Sequence, residues 1–382
     1  MRWWRGGVAV FLVLTGAARM APATEVAGEP ATILIEAVTG ETLSEHDADA
    51  PRPLGTLSQL MVLLLSLEEA RLGALRLEVP VTVSDTAVRT DLAATGSGAT
   101  RIPLRADKVY LLSDLLKAVL VGSAGDAAVA AAEAIAGSVP ACLDLMNARA
   151  QRLGMNATHF SSMGGIPTTG PTETDRTSAR DLARLARMLV QHPEVVQWAS
   201  LSGLPFDQGT ALLRNVNQLI AAVPGADGLQ VSNSRAGGFS IAATAQRGGL
   251  RLIAVVLGAK DSAARYRTAA DLLEWGFAHY ERLAILKQGE PVALPIGVAD
   301  GSVSELRPVF GQSVSLLRRR DEERDLQVHY QLPAVLAAPI QRHQQVGEVI
   351  VEERGELIAV VPVLSPVNVP TTSILSAALH DR

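Results

Sequence analysis

Thr56 and Gln59 stand three residues apart at the start of the stretch PLGTLSQLMVLLLSLEEARLGAL, residues 53–75. On a helix this separation places two side chains on one face, the arrangement by which a hydroxyl nucleophile meets its base. The pair has the spacing of S-x-x-K with both working residues replaced. An amide accepts no proton at neutral pH, and the second β substituent of threonine restricts its χ1 and crowds an attack path. Ser58 cannot restart the arrangement, because Met61 stands three residues further on. Threonine followed three residues later by glutamine is also a capping box. There Thr56 accepts from the Gln59 backbone N–H while the Gln59 side chain reaches back. Such a cap stabilises a helix start by about 1 kcal/mol, and it is the reading these residues favour.

No other residue offers itself as a base. The lysines are Lys108, Lys117, Lys260 and Lys287. Lys117 precedes Ser123 by nearly two turns, roughly 9 Å along a helix axis. The histidines His46, His159, His192, His279, His329, His343 and His380 show neither H-x-x-x-H nor H-E-x-x-H spacing, so no metal and no cofactor is expected. Glu173 and Asp175 are read as solvated loop acids, and Gly237-Gly238 as a place of close backbone approach. Cys142, the single cysteine, is read as a small buried residue and forms no internal disulfide.

The elements that must position these residues follow from patterning. The chain of 382 residues is 48% apolar with a formal net charge of −5 and no long basic run, so nothing points to nucleic acid. The start, MRWWRGGVAVFLVLTGAARMAPA, combines two early arginines, a short apolar core and small residues ending at Ala23. It is read as a cleaved signal segment, since a membrane-spanning helix needs ~20 residues. ATILIEAV and ETLSEH read as two strands about Thr39-Gly40, and VPVTVSDTAV as strand-like. LSDLLKAVLVGSAGDAAVAAAEAIAG reads as two helices broken at Gly122–Gly125. ACLDLMNARAQRLG is a helix, as is TSARDLARLARMLVQHP with Thr177 or Ser178 as its cap. GGFSIAATAQRGGLRLIAVVLGA is a hairpin about Gly248-Gly249, and YRTAADLLEWGFAHYERL closes the set with a helix. Beyond about residue 284 the chain turns to short strands, and LRRRDEER (317–324) reads as a solvated hairpin tip.

These stretches together resemble the low-molecular-weight penicillin-binding proteins, the D-alanyl-D-alanine carboxypeptidase family. The likeness is carried by ILIEAVTGETLSEHDADAPRPLGTLSQLM, GMNATHF, TSARDLARLA, NVNQLI, ADGLQVSNSRAGGFSIAATAQRGGLRLIAVVLGA and LLEWGF. It implies an α/β (α+β) fold with an antiparallel sheet flanked by helices, followed by a small all-β domain. The implied divisions are a signal peptide at 1–23, the carboxypeptidase-like domain at 24–283, the β-domain at 284–371 and a tail at 372–382. It also implies three catalytic motifs. S-x-x-K falls at Thr56-Leu57-Ser58-Gln59, S-x-N at Ser123-Ala124-Gly125, and K-T-G, which binds the substrate carboxylate and lines the oxyanion site, at Gln230-Val231-Ser232. Thr56, Gln59, Ser123, Gly125 and Gln230 thus hold catalytic positions. Val231, Ser232 and, with a weak role, Lys260 hold substrate-binding ones. Only Ser123 keeps the residue type of the motif.

The expected protein is therefore an exported, periplasmic member of the family that has lost acylation and serves binding or regulation in peptidoglycan metabolism. Its partner is expected to be a stem peptide or a periplasmic protein. Membrane anchoring is not expected from the short tail TTSILSAALHDR. The alternatives are an active carboxypeptidase with a non-standard base and a non-catalytic assembly scaffold.

Overall fold

The computed structural model describes residues 28–89, 99–164, 175–235 and 237–372. The signal segment, Glu173 and the tail from 373 onward lie outside the described residues.

Apolar runs from the two ends of the first 280 residues build one sheet. Its strands are β1 (Ala31–Glu36), β2 (Thr42–His46), β3 (Ala226–Ser234), β4 (Gly238–Arg247) and β5 (Leu250–Ala259), in the order β2-β1-β5-β4-β3. Every pairing is antiparallel, with Ile33 opposite Val255 and Ile241 opposite Val231. Because side chains alternate along a strand, each continuous apolar run feeds two layers. Ile33, Ile35, Ile253 and Val255 enter one apolar cluster; Leu34, Leu252, Ala254 and Val256 enter another on the opposite face. The weak alternation of ATILIE is thus the pattern of a strand covered on both sides.

The first layer contains α1 (Gln59–Arg71), α2 (Leu112–Gly122), α3 (Gly125–Ala136), α4 (Val139–Arg152) and α5 (Ala179–Leu189). Ser178 caps α5, its Oγ accepting from the Asp181 N–H at 3.1 Å. The second layer is α6 (Ser262–His279), capped by Asp261. The hairpin turn between β4 and β5 is Gly248-Gly249, with φ of 53° and 82°. A two-residue turn of that hand requires left-handed backbone at both positions, which glycine adopts without a Cβ clash.

Two sequence expectations are corrected. Only Pro80–Thr82 of VPVTVSDTAV is a strand; Asp85–Arg89 is a short helix. Ser84 Oγ accepts from the Ala87 N–H at 3.0 Å, a local cap that overrides the strand preference of the valines. The arginine-rich stretch 317–324 is more than a solvated tip. Leu317 is buried beside the main sheet, Arg318 and Arg320 both bind Glu281, and Arg324 binds Glu353.

The all-β part begins with β6 (Tyr280–Leu286), a strand that runs through residue 283 and pairs with β7 (Val314–Arg319). β8 (Leu326–Gln331), β9 (Gln345–Glu353) and β10 (Glu356–Leu364) form its largest sheet together with Val309–Phe310. A third apolar cluster, including Leu286, Ile296, Val349 and Val361, fills it.

Candidate active site

Thr56 and Gln59 meet residues 230–232 where the chain entering α1 abuts β3, the edge strand of the main sheet. Before α1 the chain makes one 3-10 turn, Gly55–Ser58, and Thr56 lies inside it. The expected capping box is absent, because both of its side chains are engaged at long range. The Thr56 hydroxyl donates to the Val231 carbonyl at 3.1 Å, and the Thr56 N–H donates to Ser232 Oγ at 3.0 Å. Gln59 Oε1 accepts from Gln230 Nε2 at 2.8 Å, and the same nitrogen donates to the Val119 carbonyl at 3.2 Å. Tertiary bonds to β3 outcompete the local cap, and the helix start is held by the sheet edge instead.

Ser58 completes this corner. Its hydroxyl donates to the Gly55 carbonyl at 3.1 Å and accepts from the Gly164 N–H at 2.9 Å. At Gly164 the backbone is left-handed, with φ of 68°, and a Cβ would stand 2.6 Å from Gln59 Nε2. Gly237 shows the close approach anticipated from sequence, since a Cβ would lie 2.9 Å from the Pro53 carbonyl oxygen.

Ser123 follows α2 with φ of 53°, a left-handed conformation that is uncommon for a residue with a Cβ. It is held by main-chain bonds on both sides: the Thr100 N–H donates to the Ser123 carbonyl and the Gly125 N–H to the Thr100 carbonyl, each at 3.0 Å. Gly125 opens α3 and carries no side chain toward the corner. Thr56, Gln59 and Gln230 are fully buried, and Ser123 and Ser232 are nearly so. Gln59 Nε2, Gln230 Oε1 and Ser123 Oγ have no hydrogen-bond partner among the described residues. Lys260 is exposed, one residue beyond β5. Lys117 pairs with Asp114 at 3.0 Å.

Two buried charged residues, Arg265 and Asp126, were missed by sequence reasoning, and Asp175 is not the solvated loop acid expected. Arg265 of α6 is buried, donates to the Ser232 carbonyl at 3.1 Å and to Asn233 Oδ1, and packs over Tyr266 at 4.3 Å. Burial lowers its pKa. In SAARYR nothing distinguishes it from the exposed Arg267 two residues on. Asp126, in the first turn of α3, accepts from the Ile102 N–H and from its neighbour Ala127, both at 2.9 Å. Burial raises its carboxyl from 3.8 to about 6. Asp175 is a structural acid: it accepts from the N–H groups of Ser161 and Ser162 and from the Ser162 hydroxyl at 2.6 Å. His159 bridges Arg176 through its backbone. Among the described residues no group of three or more His, Cys, Asp or Glu is placed to hold a metal ion.

An edge strand facing a hydroxyl at a helix start, on a sheet enclosed by helices, is the architecture of an acyl-transferring D,D-peptidase. The sequence profile described as D-alanyl-D-alanine carboxypeptidase matches residues 17–261, and that described as Penicillin-binding protein 5, C-terminal domain, matches 280–371; the chain belongs to the D-alanyl-D-alanine carboxypeptidase family. The D-alanyl-D-alanine carboxypeptidase DacF of Bacillus subtilis is 28% identical over 335 residues, 87% of this chain and 83% of its own. DacC of Escherichia coli is 29% identical over 341 residues, 89% of this chain and 84% of its own. The crystal structure of a peptidoglycan synthesis regulatory factor (PBP3) from Streptococcus pneumoniae superposes with a TM-score of 0.70 at 25% identity, covering 89% of this chain and 99% of that one.

Proposed function

We propose that this chain is a catalytically silent member of its family, exported to the periplasm, that acts in peptidoglycan metabolism by binding or regulation. The observation that carries the reading is the bond between Gln230 Nε2 and Gln59 Oε1. At these two positions the family motifs place amines, one to take the proton of the nucleophile and one to hold the substrate carboxylate. Here two neutral amides stand there and bind each other. Neither accepts a proton at neutral pH. The Thr56 proton is directed at a main-chain carbonyl, which is no base. Loss of a general base costs 10²–10⁴ in rate, and loss of a whole catalytic unit about 10⁶.

Main-chain groups of the edge strand β3 pair with an extended peptide independently of the side chains that have been lost, which supports a residual affinity for a stem peptide. The rival reading, an active carboxypeptidase with another base, draws on the named activity of the relatives. Fluorescent penicillin and a D-Ala-D-Ala peptide separate the two. The expected result is no covalent labelling and no release of D-alanine, with measurable peptide binding by calorimetry. Labelling that disappears in Thr56→Ala would establish the active enzyme instead. Neither labelling nor binding would favour an assembly scaffold.

A further inference from the structure

We infer that Ser232 is a built-in occupant of the oxyanion site, so that restoring the lost nucleophile and amines is insufficient to restore acylation. The inference rests on the family reading of the site and adds a separate obstruction to it.

When a hydroxyl attacks a carbonyl, negative charge gathers on the carbonyl oxygen, and fixed N–H donors must lie 2.7–3.1 Å from where that oxygen goes. The backbone N–H of the nucleophile itself is a common donor. At position 56 that donor belongs to the first turn of a helical segment, where N–H groups lack helical partners. It is already taken, since Ser232 Oγ accepts from it at 3.0 Å. Ser232 stands where the third motif carries glycine, a residue with no side chain to place there. The hydroxyl is seated closely. Gly55 lies beneath it with φ of 57°, and a Cβ at 55 would come within 2.3 Å of Ser232 Oγ. Ser232 is nearly fully buried, and its carbonyl is held from the other side by Arg265. An incoming carbonyl oxygen would have to displace this hydroxyl from the donor it needs.

The test uses the full chain carrying Thr56→Ser, Gln59→Lys and Gln230→Lys, compared with the same chain carrying Ser232→Gly in addition. In β-lactam acylation the hydroxyl proton passes to the amine, the oxygen bonds to the lactam carbonyl carbon, and the lactam C–N bond breaks with its nitrogen taking a proton. The rate of covalent labelling by fluorescent penicillin reads this step. Ser232→Gly is expected to raise it by about 100-fold or more. Ser232→Ala, which keeps the Cβ and removes the hydroxyl, is expected to act in the same direction. A second measurement needs no restored catalysis. In the otherwise unaltered chain, Ser232→Gly is expected to speed hydrogen exchange at the Thr56 amide, observed by NMR. Equal labelling of the triple and quadruple variants, zero included, overturns the inference, as does an unchanged Thr56 amide. Labelling of the unaltered chain would instead refute catalytic silence itself.

Discussion

At the scale of single residues, the amide pair and a buried acid each make a measurable prediction. Gln230 binds Gln59 and the Val119 carbonyl in a fully buried place. Gln230→Ala removes both bonds, leaves Gln59 Oε1 without a donor and opens a small cavity. A loss of about 2–4 kcal/mol is expected in urea unfolding. Replacing both by leucine removes the two amides together, leaves only the Val119 carbonyl without its donor and is expected to cost less than the single change. Asp126 predicts a pH dependence. Its folded carboxyl titrates at about 6 against an ordinary 3.8, so the native state holds the proton more tightly than the unfolded chain. Its contribution is therefore fully present below about pH 4 and is lost as pH rises through about 6, a fall of about 3 kcal/mol. Asp126→Asn has no such titration. The stability difference between the unaltered chain and this variant should decline across that window, as read by denaturant titrations at a series of pH values.

At the scale of elements, glycine in a helix tests whether packing or propensity decides. Gly276 sits inside α6, where alanine is better by roughly 1 kcal/mol from intrinsic preference. A Cβ there would stand 2.6 Å from Leu252 Cδ1 and 2.8 Å from Leu34 Cδ2, both in the sheet beneath. Both leucines are fully buried, so neither can swing away into solvent. Gly276→Ala is expected to lower stability by about 1–2 kcal/mol in thermal or urea unfolding, the overlap outweighing the helix preference. The same elements show what could be read in advance. The hairpin at Gly248-Gly249, the break between α2 and α3, and the Ser178 cap are set by local chemistry and were legible. The partners of Thr56 and Gln59 were not legible, because the competing bonds come from a strand more than 170 residues away. Local spacing pointed to a cap, and β3 overrode it. Arg265 was equally hidden, for an arginine that is buried by a strand edge carries no local mark.

At the scale of the whole molecule, a buried ion pair ties the all-β part to the main sheet. Glu36 ends β1 and is fully buried; its Oε1 accepts from Arg282 of β6 at 2.9 Å. Its other oxygen accepts from the Thr39 N–H at 2.7 Å and hydroxyl at 2.8 Å, and Arg282 Nε donates to Ser315 Oγ at 2.8 Å. Around it the junction is also polar, with Arg247 bonded to Glu274 and two arginines on Glu281. Those outer pairs are partly exposed and contribute little individually. The Glu36 pair differs because Glu36 is fully buried and cannot turn to water, with Arg282 only partly exposed beside it. Arg282→Met keeps most of the apolar stem and removes the charge, leaving the buried Glu36 carboxyl supported by Thr39 alone. A loss of about 3 kcal/mol is expected, seen as a lower urea midpoint. Adding Glu36→Gln should recover a large part of it, because no uncompensated charge then remains inside. A single change costing less than about 1 kcal/mol would mean that the two parts are held by their apolar contacts, such as Leu317 against the main-sheet cluster, rather than by this bond.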